Sequence, residues 1–226
     1  MQEILTSFMP NLIDKWYEFL QAIVDTIIME LWAGGIGFVL GFTFGIILTV
    51  TREGGICENK PVFKILDAVT NLFRSIPFII LLTALMPLSR AIMGTAINIQ
   101  GAIVPLVFGS VPFFTRQVQS ALAQVQPGLV EAAESMGLSN FEIITRVYLR
   151  ESAGQLARAT TITAISLLGL TAMAGVVGAG GLGDFAIRYG HDRNMKDITW
   201  ATVVILVIAV SLLQLVGDTI AKKSTH

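Results

Sequence analysis

The sequence predicts an all-α, polytopic membrane protein with five transmembrane helices and a short cytoplasmic helix between the third and fourth spans. Three observations carry this reading. Of the 226 residues, 54% are hydrophobic and only 14% charged, against about 25% charged in soluble domains. Mean hydropathy is +0.72. Five stretches approach the roughly 20 apolar residues a helix needs to cross hydrocarbon, which offers a bare backbone no hydrogen bonds.

The first span is Leu31 to Val50, with its helix beginning a turn or two earlier near Ala22. The second covers Val62 to Leu88 and ends in SIPFIILLTALMPL; the third is charge-free from Ala91 to Thr115. The fourth runs from Ala159 through TITAISLLGLTAMAGVVGA, and the fifth is Ile198 to Gly217. Between the spans only residues 127–150 and 180–197 leave room for more than a short connection, so residues 1–226 are expected to form a single membrane domain. Residues 1–20 lack the basic start and apolar run of a cleavable signal and read as an interfacial segment with Trp16 and Tyr17 at headgroup level.

Composition also excludes functions. A net charge of −1 supplies no basic field for nucleic acid. The single Cys57 and the distant His191 and His226 form no metal-ligand cluster, so neither metal nor cofactor is expected. GAGGLG at 178–183 has the spacing of a dinucleotide loop, but it follows a membrane-length apolar run and no acid stands about 20 residues on. Gly178, Gly180, Gly181 and Gly183 therefore read as sites of close backbone approach at the outer end of span four.

Lysine and arginine bias sets orientation. One set of loops holds Arg52, Lys60, Lys64, Arg116, Arg146, Arg150, Arg158, Lys222 and Lys223; the other holds Lys15, Arg90, Arg188, Arg193 and Lys196. The richer set marks the cytoplasm, which places the N-terminus outside and the C-terminus inside.

Within the spans, Gly34, Gly35, Gly37, Gly41 and Gly45 suit close helix packing. Pro77 and Pro105 free backbone carbonyls and are candidates for lining a pathway. Met173, among Ala172, Ala174 and Gly175, serves either packing or a gate across a dimer axis. Arg74 is read as an intramembrane charge, either functional or snorkelling to the surface. The hydroxyls of Thr160, Thr161 and Thr163 are expected to bond the preceding turn.

The polar stretch 127–150 has its own punctuation. Pro127 and Gly128 open a helix; Gly137, Ser139 and Asn140 end it and start another, with Glu142 in the new first turn. Leu129, Ala132, Ala133, Met136 and Phe141 fall near one face, and the two alanines offer a surface that another protein's groove accepts closely.

Glu131-Ala132-Ala133, three residues, then Gly137 resembles the EAA loop of permease subunits of ATP-binding-cassette importers. The family pattern continues with Ile, any residue, Leu and Pro, where this chain has Val147, Tyr148, Leu149 and Arg150, so the helix-breaking proline is replaced. NLFRSIPFIILL at 71–82, AIVPLVFGSVPFFTRQVQSAL at 102–122 and VVGAGGLGDFAIRYG at 176–190 resemble the methionine-importer (MetI-like) branch. The resemblance implies that Glu131, Ala132, Ala133, Met136 and Gly137 form a coupling helix for a cytoplasmic ATPase. It further implies a second copy of the chain, two ATPase subunits, an external substrate-binding lipoprotein, a bacterial cell membrane and an amino-acid substrate, methionine in L or D form or a close derivative. The chain has no G-x-x-x-x-G-K-[ST], so ATP hydrolysis is expected in the partner and not here.

Three rivals remain at this point. A permease of the same superfamily for another small polar solute shares every motif of the loop. An ion-coupled carrier calls for acids buried at mid-membrane or inverted repeats, and neither is expected here. A membrane scaffold shares the bundle and shows no flux.

Overall fold

A computed structural model describes residues 9–224. Residues 1–8 of the expected interfacial segment, and His226, lie outside the described residues. All regular secondary structure among the described residues is helical. A short helix α1 (Pro10–Asp14) precedes α2 (Trp16–Thr51), α3 (Lys60–Ser75), α4 (Phe78–Ala84), α5 (Met86–Met93) and α6 (Asn98–Leu122). Then come α7 (Pro127–Ser135), α8 (Asn140–Glu142), a π-helical stretch (Ile143–Tyr148), α9 (Leu149–Glu151) and α10 (Ala153–Gly175). A short α11 (Gly181–Phe185) and a second π stretch (Ala186–His191) lead into α12 (Lys196–Ser224).

Four helices, α2, α6, α10 and α12, are long and apolar enough to cross a membrane, and a fifth span exists if α3 and α4 count as one. That pair is bent by 103° at its junction. The second span, expected as one run from Val62 to Leu88, is thus broken at Pro77. Ile76 and Pro77 are extended (ψ 123° and 133°), because the residue before a proline is driven out of the α region and proline has no N–H to give the ladder. The third span shifts too: Gly94 adopts a left-handed φ of +76° and closes α5, so the span begins only at Asn98. The outer spans run longer than their apolar cores. Trp16 and Ser224 are their far ends because flanking polar residues continue the same backbone hydrogen bonds.

The chain divides into two compact units, each assembled from consecutive stretches of the same long helices. Unit 1 takes the chain to Gly35, Pro77–Gly109 and Ile165–Leu212. Its core has one cluster around Phe19, Phe185, Tyr189 and Ile198 and a second around Met29, Leu82, Leu106, Leu167 and Ala174. The Asp197 carboxylate accepts from Asn11 N–H (2.9 Å), Asn11 Nδ2 (3.0 Å) and Leu12 N–H (3.2 Å), pinning α1 to the start of α12.

Unit 2 takes Ile36–Ile76, Ser110–Ala164 and the chain from Leu213. Gly37, Gly41 and Gly45, one turn apart on α2, face Ser110, Phe114 and Val118 on α6. A side-chain carbon at Gly41 would stand 3.0 Å from Phe114 Cβ and 3.1 Å from the Val111 carbonyl oxygen, so the two helices approach as only glycine permits. Phe38 closes the contact edge-on to Phe114, ring centroids 4.7 Å apart. Farther along α6, Arg116 pairs with Asp67 on α3 and donates to Asn71 Oδ1 (2.8 Å) and Gln119 Oε1 (2.6 Å).

Gly41→Leu is expected to lower the unfolding free energy by about 1–3 kcal/mol, the usual cost of overpacking, read as a lower thermal midpoint in detergent. Gly35→Ala is the control: its added carbon meets nothing within 4 Å, and the midpoint should hold or rise slightly.

Candidate functional site

The stretch 127–151 builds a two-helix device within unit 2. Pro127 occupies the first turn of α7, where its missing N–H costs no hydrogen bond. The helix ends in a Schellman arrangement. Leu138 N–H donates to Ala133 O (3.1 Å) and Gly137 N–H to Glu134 O (2.9 Å). Gly137 carries φ +77°, a conformation that costs other residues about 1–2 kcal/mol, while a Cβ there would touch nothing. Its need for glycine is conformational and not steric.

The next helix starts two residues later. Ser139 N–H donates to Glu142 Oε2 (3.1 Å), Ser139 O–H donates to the same oxygen (2.9 Å), and Glu142 N–H donates to Ser139 Oγ (3.4 Å). This reciprocal capping box satisfies donors at both ends of the turn. The hydrogen bonds from the Ser139 backbone and hydroxyl, then the Arg146 cation, hold the Glu142 carboxyl below its ordinary value of 4.5. Asn140 Nδ2 reaches Cys57 Sγ at 3.1 Å, which gives the lone cysteine a local structural contact.

The device is anchored by Ala133, Ile143 and Tyr148, which are buried with Phe114, Val118 and Leu122 at the end of α6 and Ala159 on α10. Burial pushes the Tyr148 phenol up, opposed by the nearby Arg52. Ser152 leaves helical geometry (φ −92°, ψ 5°) and its hydroxyl donates to Ala121 O at 3.2 Å. Arg150 therefore does not end the helix as the family's proline would. The chain stays helical through Glu151 and distorts at Ser152.

Of the expected coupling residues, Glu131, Ala132, Met136 and Gly137 are exposed and Ala133 is not. The two alanines do not share an accepting face: Ala133 is 2% exposed and packs inward, because C3 of the helix end must lie under Leu138. The outward stripe is Leu129, Ala132 and Met136, with Phe141 beyond the turn; Met136 is 72% and Phe141 74% exposed.

The remaining candidates separate. Pro77 is exposed at the sharp bend, whereas Pro105 is buried within α6. Arg74 is exposed in the last turn of α3, beside that bend. Met173 is 41% exposed. Gly178, Gly180 and Gly181 all have positive φ. A side-chain carbon at Gly183 would strike the Ala172 carbonyl and one at Gly175 the Asp184 N–H, so the backbones of α10 and α11 do come into direct contact. Thr160, Thr161 and Thr163 donate to the carbonyls four residues back, at 2.8–2.9 Å.

One group escaped the sequence reading. Glu30 lies inside α2, with one carboxylate oxygen buried and without a hydrogen-bond partner among the described residues. The sequence reading singled out no buried acid in the helices that form the spans, and Glu30 is one. Placing the first span's apolar core at Leu31 left Glu30 just outside that core, although within the helix expected to begin near Ala22.

The described chain thus combines helices long and apolar enough to cross a membrane with one capped, surface-exposed helix pair. The chain matches, over residues 41–224, the family described as the inner membrane component of binding-protein-dependent transport systems. It belongs to that family, and is thus a multi-pass inner-membrane permease. It is 42% identical over 221 residues to a probable D-methionine transport system permease protein MetI of Vibrio cholerae, covering 96% of this chain and 98% of that one. It is 41% identical over 174 residues to the methionine import system permease protein MetP of Bacillus subtilis, covering 77% and 78%. A solved inward-facing MetNI methionine ABC transporter contains a chain that superposes with a TM-score of 0.91 at 41% identity, covering 94% of this chain and 99% of that one. An amino acid ABC transporter at 16% identity shares the fold, with a TM-score of 0.78.

Ser139→Ala should destabilise the turn by about 1 kcal/mol, raising amide exchange at Glu142 roughly fivefold. The acid limb follows from the lowered Glu142 value. The cap is fully formed above pH 4.5 and lost as pH falls through the lower folded-state value, so exchange at residue 139 should accelerate only in acid.

Proposed function

We propose that this chain is the permease of an ATP-driven methionine importer, acting as a pair of identical subunits with two cytoplasmic ATPase subunits and an external binding protein. The observation that carries the proposal is the near-full-length agreement, in fold and at 41% identity, with a chain of a methionine ABC transporter. Residues 1–226 act as one permease domain. The substrate is methionine in L or D form or a close derivative.

The permease performs no bond chemistry. ATP closes the partner dimer, the docked α7 helices are drawn together, and the rigid movement passes through Ala133, Ile143 and Tyr148 into α6 and α10. Leu129, Ala132 and Met136 supply the apolar contact, flanked by Glu131, and Gly137 sets the angle between the two helices. Met173 acts as a gate across the pair. The cavity opens outward to receive substrate, and hydrolysis returns it inward. The N-terminus lies outside and the C-terminus, with α7, in the cytoplasm.

Uptake of labelled methionine by proteoliposomes holding permease and ATPase tests the proposal. Unlabelled methionine should abolish uptake and other amino acids should not; competition by an unrelated amino acid alone refutes the substrate. Glu131→Lys should cut coupled uptake roughly tenfold, a loss of about 1.4 kcal/mol, with the fold intact by thermal midpoint. In a Cys57→Ser background, Glu134→Cys should react with an impermeant thiol reagent only from the cytoplasmic side. Labelling from outside reverses the orientation.

A further inference from the structure

A cavity of about 480 Å³ opens in unit 2 among Arg146, Arg150, Arg158, Gln155 and Ser224. Three arginines line it against one acid, Glu151. Lys222 and Lys223, both exposed, sit in the last turn of α12 just before Ser224. Arg146 is engaged by Glu142 at 3.3 Å. The other ion pairs among the described residues belong to Lys15, Lys60, Arg116 and Arg188, so Arg150 and Arg158 have none. An adjoining cavity of about 270 Å³, lined by Gln124, Gln126 and Leu129 among others, has no cation in its wall. The positive charge is concentrated in one place.

The level of the cavity is set by the ends of two spans. Ser224 is the last residue of α12, and Gln155 is the third residue of α10; both helices are long and apolar enough to cross the membrane. A wall made from such ends lies at the depth of lipid headgroups. Arg146 and Arg150 are four residues apart and rise on one side of the helical stretch, and Arg158, from α10, lines the same cavity. The planar fork of a guanidinium matches two oxygens of a phosphate at once. Arg150 stands where the family pattern carries proline, so this chain replaces a helix breaker with a cation that reaches the cavity.

We propose that this cavity binds the phosphodiester headgroup of an anionic phospholipid, with Arg150 and Arg158 as the principal ligands and Arg146, Lys222 and Lys223 completing the field. Basic pockets between spans at a membrane face recognise such headgroups through charge and fork geometry. The site is separate from the stripe at Leu129, Ala132 and Met136, so it holds whether or not the coupling role does.

Native mass spectrometry of the full chain in detergent with equimolar phosphatidylglycerol and phosphatidylcholine tests the proposal. The wild type should retain phosphatidylglycerol at least tenfold over phosphatidylcholine, and raising salt from 50 to 500 mM should erase the preference. Arg150→Gln with Arg158→Gln should lose it at low salt. The wild-type salt series stands alone if that variant fails to fold. Absence of a preference in the wild type overturns the proposal, as does an unchanged preference in a folded double variant. Displacement of the lipid by micromolar inorganic phosphate marks a free-anion site and overturns the lipid assignment. If the double variant keeps its lipid but no longer co-purifies with the ATPase subunit, the arginines belong to a protein interface and the proposal falls.

Discussion

The contact between α2 and α6 at Gly37, Gly41 and Gly45 governs the architecture of unit 2. Within a membrane, packing two helices removes no apolar surface from water, so association depends on dispersion between closely fitted atoms. Three glycines one turn apart let the α6 backbone approach α2, and Phe38, Phe42 and Ile46 fill the space on either side. That approach fixes where Phe114, Val118 and Leu122 stand. These residues in turn receive Ala133, Ile143 and Tyr148. The position of the polar helix pair is therefore inherited from a row of residues with no side chains.

Polar groups in this greasy chain are settled locally wherever the chain allows it. Threonines on α10 return their hydroxyls to the preceding turn, which costs no partner from another helix. Arg116 and Asp67 meet between helices and recruit Asn71 and Gln119, so neither charge is left to the apolar surroundings. Glu30 departs from this pattern, as does Ser89, whose hydroxyl is also buried without a partner among the described residues. Such orphaned groups are uncommon in folded proteins.

Features encoded by local chemistry were legible in the sequence. Apolar runs marked the spans, and Pro127, Gly137, Ser139 and Glu142 marked both ends of the turn because each is chosen for one backbone conformation or one cap. Features that depend on distant partners were not. Nothing near Ala133 says that it, and not Ala132, turns inward; the anchors at Phe114 and Val118 decide that. Asp67 and Arg116 lie 49 residues apart, beyond any periodicity. Pro77 announced a disturbance, but a proline alone does not distinguish a gentle kink from a 103° bend. Helix ends were misplaced for another reason: Trp16 and Ser224 lie past the apolar cores, where polarity changes but hydrogen bonding does not.

The bend at Pro77 also bears on how the chain enters a bilayer during synthesis. At about 1.5 Å per residue, the seven residues of Phe78–Ala84 reach only about 10 Å, a third of the hydrocarbon thickness. As it emerges from the insertion machinery, this segment is too short to be released sideways into lipid as a finished crossing. Its place is instead held by neighbours, Leu82 packing in one core cluster with Leu106 of α6.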